Sequence, residues 1–263
     1  MSGFGGAQSR TKHFGYSKAK SWRSLAITLD QEGERFKGFL ENNSHLQIEA
    51  FQAIKGTDIS QKEMVSNGLV TDNLACSPLL TAGALGCAAS HRAVWIEAAQ
   101  GSKGYFVLED DCYTHPKIVD FIAVNLKRIM AADICFFGIN TDSILQGVSP
   151  AGLTSVSLFD PKHPSQEWIQ NAFLKTTIDK VEMHRLIKAF GTCAYFVSPG
   201  GARKMIDAIF PLSLETTYIP LITDRMPAIS IDRAGCCRYS QLDALICQPF
   251  LAYSPNSDST TKE

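Results

Sequence analysis

Short apolar runs alternate with segments of helical spacing along the first half of the chain. The run at 24–30 predicts a buried strand, residues 33–42 carry their aromatic and aliphatic side chains at helical intervals, and residues 48–54 alternate as a strand does. A β-α-β opening of this kind is typical of a parallel sheet that is covered by helices.

The same alternation continues to residue 140 and returns near residue 191. A long helix is predicted over 81–100, with Thr81 as its N-cap and Gly101 as its stop. The further predicted elements are strands at 105–111, 132–140 and 191–199 and helices at 118–130 and 200–210. Between them, residues 142–185 read as a long irregular excursion with one helix around 178–189. The pattern therefore predicts an α/β fold.

Composition and charge exclude several classes of protein. The formal net charge of −1 gives no basic field for a polyanionic backbone, so we expect no nucleic-acid partner. No apolar segment reaches the ~20 residues that cross a bilayer, and the N-terminus lacks the apolar centre of a signal peptide, so we expect a cytoplasmic chain. Basic residues in the first 23 positions allow peripheral contact with an anionic membrane surface. The eight cysteines form no CxxC pair, which favours reduced thiols and argues against a zinc site or a disulfide scaffold.

Three adjacent acids, Glu109, Asp110 and Asp111, follow the apolar run of the strand predicted at 105–111. Their charges repel one another, so an arginine, a helix N-terminus or a metal ion should offset them. In open α/β sheets, ligands bind beyond the carboxyl ends of strands, and hard cations such as Mg²⁺ or Mn²⁺ prefer carboxylate oxygens and phosphates. A solvated acidic turn is the alternative interpretation of the triplet.

Two other segments offer candidate binding residues. Asp30 ends the first strand and Arg35 follows it, so the arginine fork could grip a phosphate or a base edge; an N-cap and a surface arginine are the alternative. Ser90 and His91 lie on the predicted long helix, where a single histidine more often packs than reacts. The chain contains no GxxxxGK[ST], GxGxxG, GxSxG or HExxH motif.

The order of six segments is more specific than any one of them: ITLDQEGER, FQAIKGTDI, GALGCAASHRAVW, YFVLEDD, GTCAYFVSPGGARKM and QLDALI. This series resembles glycosyltransferase family 25, the lipooligosaccharide-type galactosyltransferases related to procollagen galactosyltransferases, over residues 24–255. The resemblance implies a GT-A fold, with a Rossmann-like, mostly parallel sheet and helices on both faces. It also implies transfer of a hexose, typically galactose, from a UDP-sugar to a glycan or lipooligosaccharide acceptor with inversion at the anomeric carbon.

On this resemblance, residues 1–22 form a flexible leader, 23–255 form a single GT-A domain and 256–263 form a tail. Residues 23–140 make up the nucleotide-sugar half and residues 141–255 the acceptor half. The EDD triplet corresponds to the family's DxD-like motif, in which Mn²⁺ or Mg²⁺ bridges carboxylate and diphosphate and neutralises the departing UDP.

Site residues follow by matching motifs position by position. Asp30 and Arg35 match the family's NLDRRxDR-like opening, Ser90 and His91 match GCxxSH, and Thr192 matches GTxAY. The implied nucleotide-sugar-binding residues are Asp30, Arg35, Ser90, His91, Glu109, Asp110, Thr192 and Tyr195. The implied metal ligands are Asp110 and Asp111.

The sequence departs from the family pattern at three positions. Lys55 stands where AVDG has its acid, Ala84 where GExGC has its Glu, and Cys193 where GTHAY has its His. These departures leave open a catalytically silent nucleotide-sugar-binding protein of the same fold. A metal-dependent phosphoester hydrolase would use the same acids but has no evident histidine partner near them.

Asp243 is the candidate catalytic base. Inverting transfer needs a carboxylate on the acceptor side of the sugar, and Asp243 matches the family's late acid and opens an apolar segment, so it can stand at an element boundary facing the cleft. An N-cap without chemistry is the alternative. Glu215 and Asp224 are the next candidates.

Overall fold

The computed structural model describes residues 21–160, 162–222 and 225–256. Its strands are β1 (Trp22–Thr28), β2 (Glu49–Gln52), β3 (Gly104–Glu109), β4 (Tyr113–Thr114), β5 (Ile134–Gly138), β6 (Ile144–Val148), β7 (Thr154–Leu158), β8 (Glu182–Ala189), β9 (Ala194–Val197), β10 (Thr216–Tyr218), β11 (Arg225–Pro227), β12 (Ala244–Gln248) and β13 (Ala252–Tyr253). Its α-helices are α1 (Glu34–Asn42), α2 (Gln61–Ser66), α3 (Asp72–Ala75), α4 (Ala82–Gln100), α5 (Ile118–Ala131), α6 (Gln166–Lys175), α7 (Pro199–Ile209) and α8 (Ile231–Arg238).

Nine strands form one central sheet in the order β2-β1-β3-β9-β5-β12-β8-β6-β7. The pairs β1·β2, β1·β3 and β5·β12 are parallel, whereas β7, β8 and β9 run against their neighbours. Six of the nine strands therefore share one direction. The predicted α/β class and GT-A-like architecture are confirmed, and the three reversed strands make the sheet mixed.

Helices cover both faces of the sheet because successive strand residues point to opposite sides. Leu25 and Ile27 of β1 pack in a cluster with α4, α7 and α8, whereas Ala26 packs in a second cluster with α1 and α5. The Thr81 hydroxyl caps α4 and Gly101 ends it, as the sequence predicts.

The expected irregular region after residue 142 is more regular than predicted, and the helix expected around 178–189 is wrong. This region contains β6, β7 and α6, and residues Glu182–Ala189 form β8. β8 lies between β12 and β6 and pairs with both, so this segment of mixed polar and apolar residues forms an interior strand of the sheet. Tertiary pairing overrides the local helical preference of this segment.

The two halves predicted from the sequence interleave in space. β9 comes from the second half of the chain, yet it pairs with β3 on one side and β5 on the other, both from the first half. The predicted leader, residues 1–22, lies outside the described residues except for its last two, and the second of these, Trp22, begins β1. Among the described residues, no helix combines the length and the apolar character needed to cross a membrane.

Candidate functional site

Three chain segments meet at one edge of the sheet. Because β1 and β3 are parallel, their carboxyl ends bring Asp30 and the acids Glu109–Asp111 to the same edge. β9 is antiparallel to β3, so the residues that precede β9, Gly191–Cys193, also lie there, and Glu109 N–H donates to Cys193 O at 2.9 Å. The topology thus assembles acids and the GTCAY segment that are distant in sequence.

Glu109 is held by residues from outside the acid triplet. The Thr192 hydroxyl donates to Glu109 Oε1 at 2.5 Å, and His91 Nε2 lies 3.4 Å from the same oxygen. Burial raises the pKa of Glu109, but the contacts with His91 and Thr192 and the charge of Arg35 outweigh it, so the pKa lies below its ordinary value. Glu109 is therefore held as an anion.

A buried chain of side chains orients His91. Trp95 Nε1–H donates to the Tyr195 hydroxyl at 2.9 Å, and that hydroxyl lies 2.8 Å from His91 Nδ1. If the hydroxyl donates to Nδ1, every group is satisfied and His91 Nε2–H faces Glu109; this tautomer is our assignment from the hydrogen-bond pattern.

His91 and Tyr195 were expected to bind the nucleotide sugar, but at 1% and 0% exposure they lie beneath the surface. Their location supports a positioning role, in which they hold Glu109 rather than touch the ligand.

One of the expected counter-charges, an arginine, lies beside the acid triplet. Arg35 Nη2 on α1 lies 2.8 Å from Asp110 Oδ1 and 3.5 Å from Asp111 Oδ2. The loop that follows the acids is fastened by the buried amide of Asn43, which donates to Cys112 O and accepts from Thr114 N–H and Thr114 Oγ1. Arg35 is thus brought to the site, where it contacts the predicted metal ligands.

One carboxylate oxygen of Asp111 is not engaged by the described residues. Its Oδ1 atom is buried and has no hydrogen-bond partner among the residues that the structure describes, while Ser254 bonds to the same carboxyl group. Burial, together with the charge of Glu109, raises the pKa of Asp111 to about 6, although Arg35 acts in the opposite sense. An uncompensated carboxylate oxygen at this position is a ready ligand for a cation.

Asp30 and Ser90 differ in their access to a ligand. Asp30 is exposed, and its side chain accepts a hydrogen bond from Glu32 N–H at 3.0 Å, so it remains available at the edge. Ser90 is buried; it accepts from Ile54 N–H at 2.8 Å and donates to Gly86 O at 2.7 Å. Ser90 therefore fastens the loop after β2 to α4 and does not face the cleft.

The loop after β2 packs on the backbone of α4. A Cβ on Gly86 would lie 2.7 Å from both Gly56 N and Ile54 O, so only glycine permits this approach. Lys55, which departs from the family pattern AVDG, lies exposed in this loop.

Cys87, His91 and Glu109 form a second group of metal-capable atoms, all within 4.8 Å of one another. The donor set is softer than an all-oxygen site and suits ions such as Zn²⁺ better than Mg²⁺. Thr192 Oγ1 already contacts both His91 Nε2, at 3.3 Å, and Glu109. Hydrogen bonds therefore account for this group without an ion.

Comparison with known families identifies the family of the chain. The model for glycosyltransferase family 25, described as an LPS biosynthesis protein, matches residues 23–219. The chain belongs to glycosyltransferase family 25. Membership indicates glycosyltransferase activity, which implies a nucleotide-sugar donor and a glycan acceptor. No curated protein matches the chain.

Asp243, the predicted base, does not reach the family 25 site. It precedes β12, which is parallel to β5, so it lies at the edge opposite to the carboxyl ends of the strands. Its carboxylate pairs with Arg128 at 2.9 and 3.2 Å, and its N–H donates to Asp133. The family match also ends before this residue. The prediction that Asp243 is the base is therefore withdrawn.

Of the other two candidate bases, Glu215 lies among the described residues and Asp224 does not. Glu215 pairs with Arg238.

Two residues beside the candidate site were not identified from the sequence. Asp232, in the first turn of α8, accepts from Gly191 N–H at 3.3 Å. The pKa of Cys87 is raised by burial first and then by the charges of Glu109, Asp232 and Asp111, which places its sulfur among these acids. The available signals were the first-turn acid of SIDRAG and the four-residue spacing of Cys87 and His91 on α4.

The departure at Cys193 has a simple structural account. Its side chain is buried in the apolar cluster that contains α1 and α5, on the other side of the sheet from His91. A histidine is therefore not missing from the hydrogen-bonded group around Glu109.

Proposed function

We propose that this family 25 chain is a metal-dependent, inverting glycosyltransferase that moves a hexose, in the first instance galactose, from a UDP-sugar to a glycan or lipooligosaccharide acceptor. The observation that carries the proposal is the unpartnered, buried Oδ1 of Asp111 beside Asp110 at the carboxyl end of β3. We further propose that the chain works in the cytoplasm, with peripheral contact at the inner face of a membrane.

The residues present fit a hard divalent cation. Asp110 and Asp111 supply carboxylate oxygens, and both side chains are 13% exposed, so their charges are poorly solvated. The raised pKa of Asp111 reports the same unrelieved charge. Mn²⁺ or Mg²⁺, when bound, would supply Lewis-acid stabilisation of the departing diphosphate.

Arg35 has two successive partners in this proposal. Without donor it neutralises Asp110 and Asp111. A planar guanidinium suits phosphate oxygens as well as carboxylates, so Arg35 binds the diphosphate of the donor once the two aspartates are otherwise engaged. Asp30, exposed at the end of β1, binds the nucleoside part.

In this proposal, Glu109 and Thr192 form a rigid part of the sugar-binding site. Thr192 and His91 hold the carboxylate in one orientation, and the buried Trp95 and Tyr195 fix His91 in turn. Such positioning of a charged group by fixed donors avoids reorganisation during the reaction.

Inverting displacement also requires a proton acceptor on the side of the incoming hydroxyl. Asp232 comes from the acceptor half and lies at the same edge as Glu109, so it replaces Asp243 as our candidate base. Ser230 Oγ and Arg233 N–H both donate to Asp232 Oδ1, at 2.5 and 2.8 Å, while Oδ2 receives the longer contact from Gly191.

The test is calorimetric titration of UDP in Mn²⁺ and in EDTA, followed by release of UDP from UDP-galactose, UDP-glucose and UDP-N-acetylglucosamine. We expect metal-dependent UDP binding that Asp111→Asn removes and that the remote variant Asp243→Asn retains. Equal affinity in Mn²⁺ and EDTA would refute the metal-dependent proposal.

The alternatives separate in the same experiment. Binding without UDP release in the presence of acceptors would identify the silent nucleotide-sugar-binding protein. A phosphoester hydrolase would release phosphate from simple phosphoesters without any saccharide.

A further inference from the structure

An aromatic group lies next to the acid triplet in the acceptor half. Trp168 on α6 packs edge-on against Tyr253, with ring centroids 5.3 Å apart and planes 83° apart. Tyr253 pairs with Tyr113, two residues beyond Asp111, and the neighbouring Ser254 bonds to Asp111 itself. Trp168 is thus joined to the proposed metal ligand by a short, packed path.

Trp168 is the exposed member of this group. Tyr253 is 7% exposed, whereas Trp168 is 51% exposed although its ring is supported from below. A large indole surface held in a fixed orientation offers apolar area at little cost in conformational entropy. Such a surface suits a flat, partly apolar ligand.

Polar side chains surround the same C-terminal segment. His163 Nε2 lies 3.2 Å from Asp142 Oδ2 and 3.0 Å from Asn256 Nδ2. His163 lies three residues before α6, and Asp142 follows β5, whose carboxyl end faces the site edge. An aromatic surface combined with a few convergent carboxylate and amide groups is the usual make-up of a small-ligand site.

We propose that Trp168 is the platform on which the acceptor sugar stacks, with Asp142 and Asn256 binding its hydroxyl groups. This inference rests on the proposed function, because it assigns the acceptor to the face beside Asp111. The ligand class is a pyranose ring whose C–H face lies on the indole and whose hydroxyls point to the polar groups. A carboxylate and an amide match hydroxyls better than they match an anionic lipid headgroup.

Fluorescence isolates this residue. The chain has three tryptophans, and the other two, Trp22 and Trp95, are 8% and 0% exposed. Quenching by acrylamide therefore reports Trp168. With Mn²⁺ and UDP present, methyl glycosides of glucose, galactose and N-acetylglucosamine would be titrated, and at least one should reduce the quenching constant about twofold. Trp168→Phe should remove the quenchable fluorescence itself, which confirms that Trp168 is its source.

Kinetics provide the second measurement, with the best glycoside of the titration as acceptor. Trp168→Ala should raise the acceptor KM about tenfold or more, the scale found when an aromatic side chain that stacks a nucleic-acid base is truncated to alanine. The KM for the UDP-sugar should stay within twofold. Trp168→Phe should recover part of the loss, and Leu174→Ala, a more exposed apolar residue of the same helix, should change neither KM.

The outcomes distinguish the two proposals. If metal-dependent UDP binding is present but no glycoside protects Trp168, the platform is refuted and the proposed function stands. If phosphatidylglycerol vesicles protect Trp168 and glycosides do not, the residue contacts a membrane and the inference is wrong. Loss of metal-dependent UDP binding in the parent would refute the proposed function, while glycoside protection would still decide the role of Trp168.

Discussion

Replacing Thr192 by valine keeps the shape of the side chain and removes the hydroxyl that donates to Glu109. Thr192 is 5% exposed and its bond to Glu109 Oε1 is 2.5 Å long, so the hydroxyl end of this bond is shielded from water, although the Glu109 side chain is 31% exposed. A hydrogen bond to a charged group contributes about 1.5–3 kcal/mol, and we expect Thr192→Val to lower the free energy of unfolding by that amount at pH 7.

The loss should depend on pH in a defined direction. The pKa of Glu109 is lower in the folded protein than its ordinary value of 4.5, so the bond stabilises the ionised form. This contribution is complete above the unfolded pKa and is lost as the pH falls through the folded pKa. The difference between parent and Thr192→Val should therefore shrink below pH 4, towards the roughly 0.5–1.5 kcal/mol of a neutral hydrogen bond.

Urea denaturation at pH 7, 5, 4 and 3 measures this difference. Thr192→Ser is the matched control: it keeps the hydroxyl and loses one buried methyl group, which costs about 0.8 kcal/mol at every pH. A loss below about 0.5 kcal/mol for Thr192→Val at pH 7, or a larger loss that does not change with pH, would show that the hydroxyl does not stabilise an ionised Glu109.

Three further substitutions test other parts of the structure. Asp243→Asn should keep turnover within about threefold and cost less than about 1 kcal/mol, because its pair with Arg128 is nearly half exposed; a hundredfold loss of turnover would restore it as the base. Gly86→Ala should lower the free energy of unfolding by about 1–3 kcal/mol in thermal denaturation, whereas Gly200→Ala, where a Cβ meets nothing within 4 Å, should be neutral or stabilising. Tyr195→Phe should cost about 1–3 kcal/mol in urea denaturation, since it leaves buried indole and imidazole nitrogens unpaired; a smaller loss would show that they find other partners.

The sequence predicted the elements whose signals are local. The caps Thr81 and Gly101 set the ends of α4, and the apolar run before Glu109 located β3, because these signals lie within a few residues of the element. The ends of these elements then placed Asp30 and the acid triplet at one edge.

Signals that depend on the sheet could not be read from the sequence. The prediction that Asp243 faces the cleft was wrong because of the direction of β12, which is fixed only by its pairing with β5. The contact of Arg35 with Asp110 joins α1 to the end of β3, and the sequence offered an arginine, a helix N-terminus and a metal ion as equal counter-charges. β8 was mistaken for a helix because the strands that flank it are distant in the chain.

The position of β9 bears on how the protein can fold and be divided. A fragment that ends at residue 140 would retain β3 and β5 but lack β9, the strand that joins them, and so would leave the facing edges of β3 and β5 unpaired. The half that we propose binds the donor therefore cannot complete its sheet until the chain has been made through Val197. We expect donor binding and acceptor binding to be lost together in a single cooperative unfolding transition, and truncations at the boundary between the halves to aggregate rather than yield a nucleotide-binding fragment.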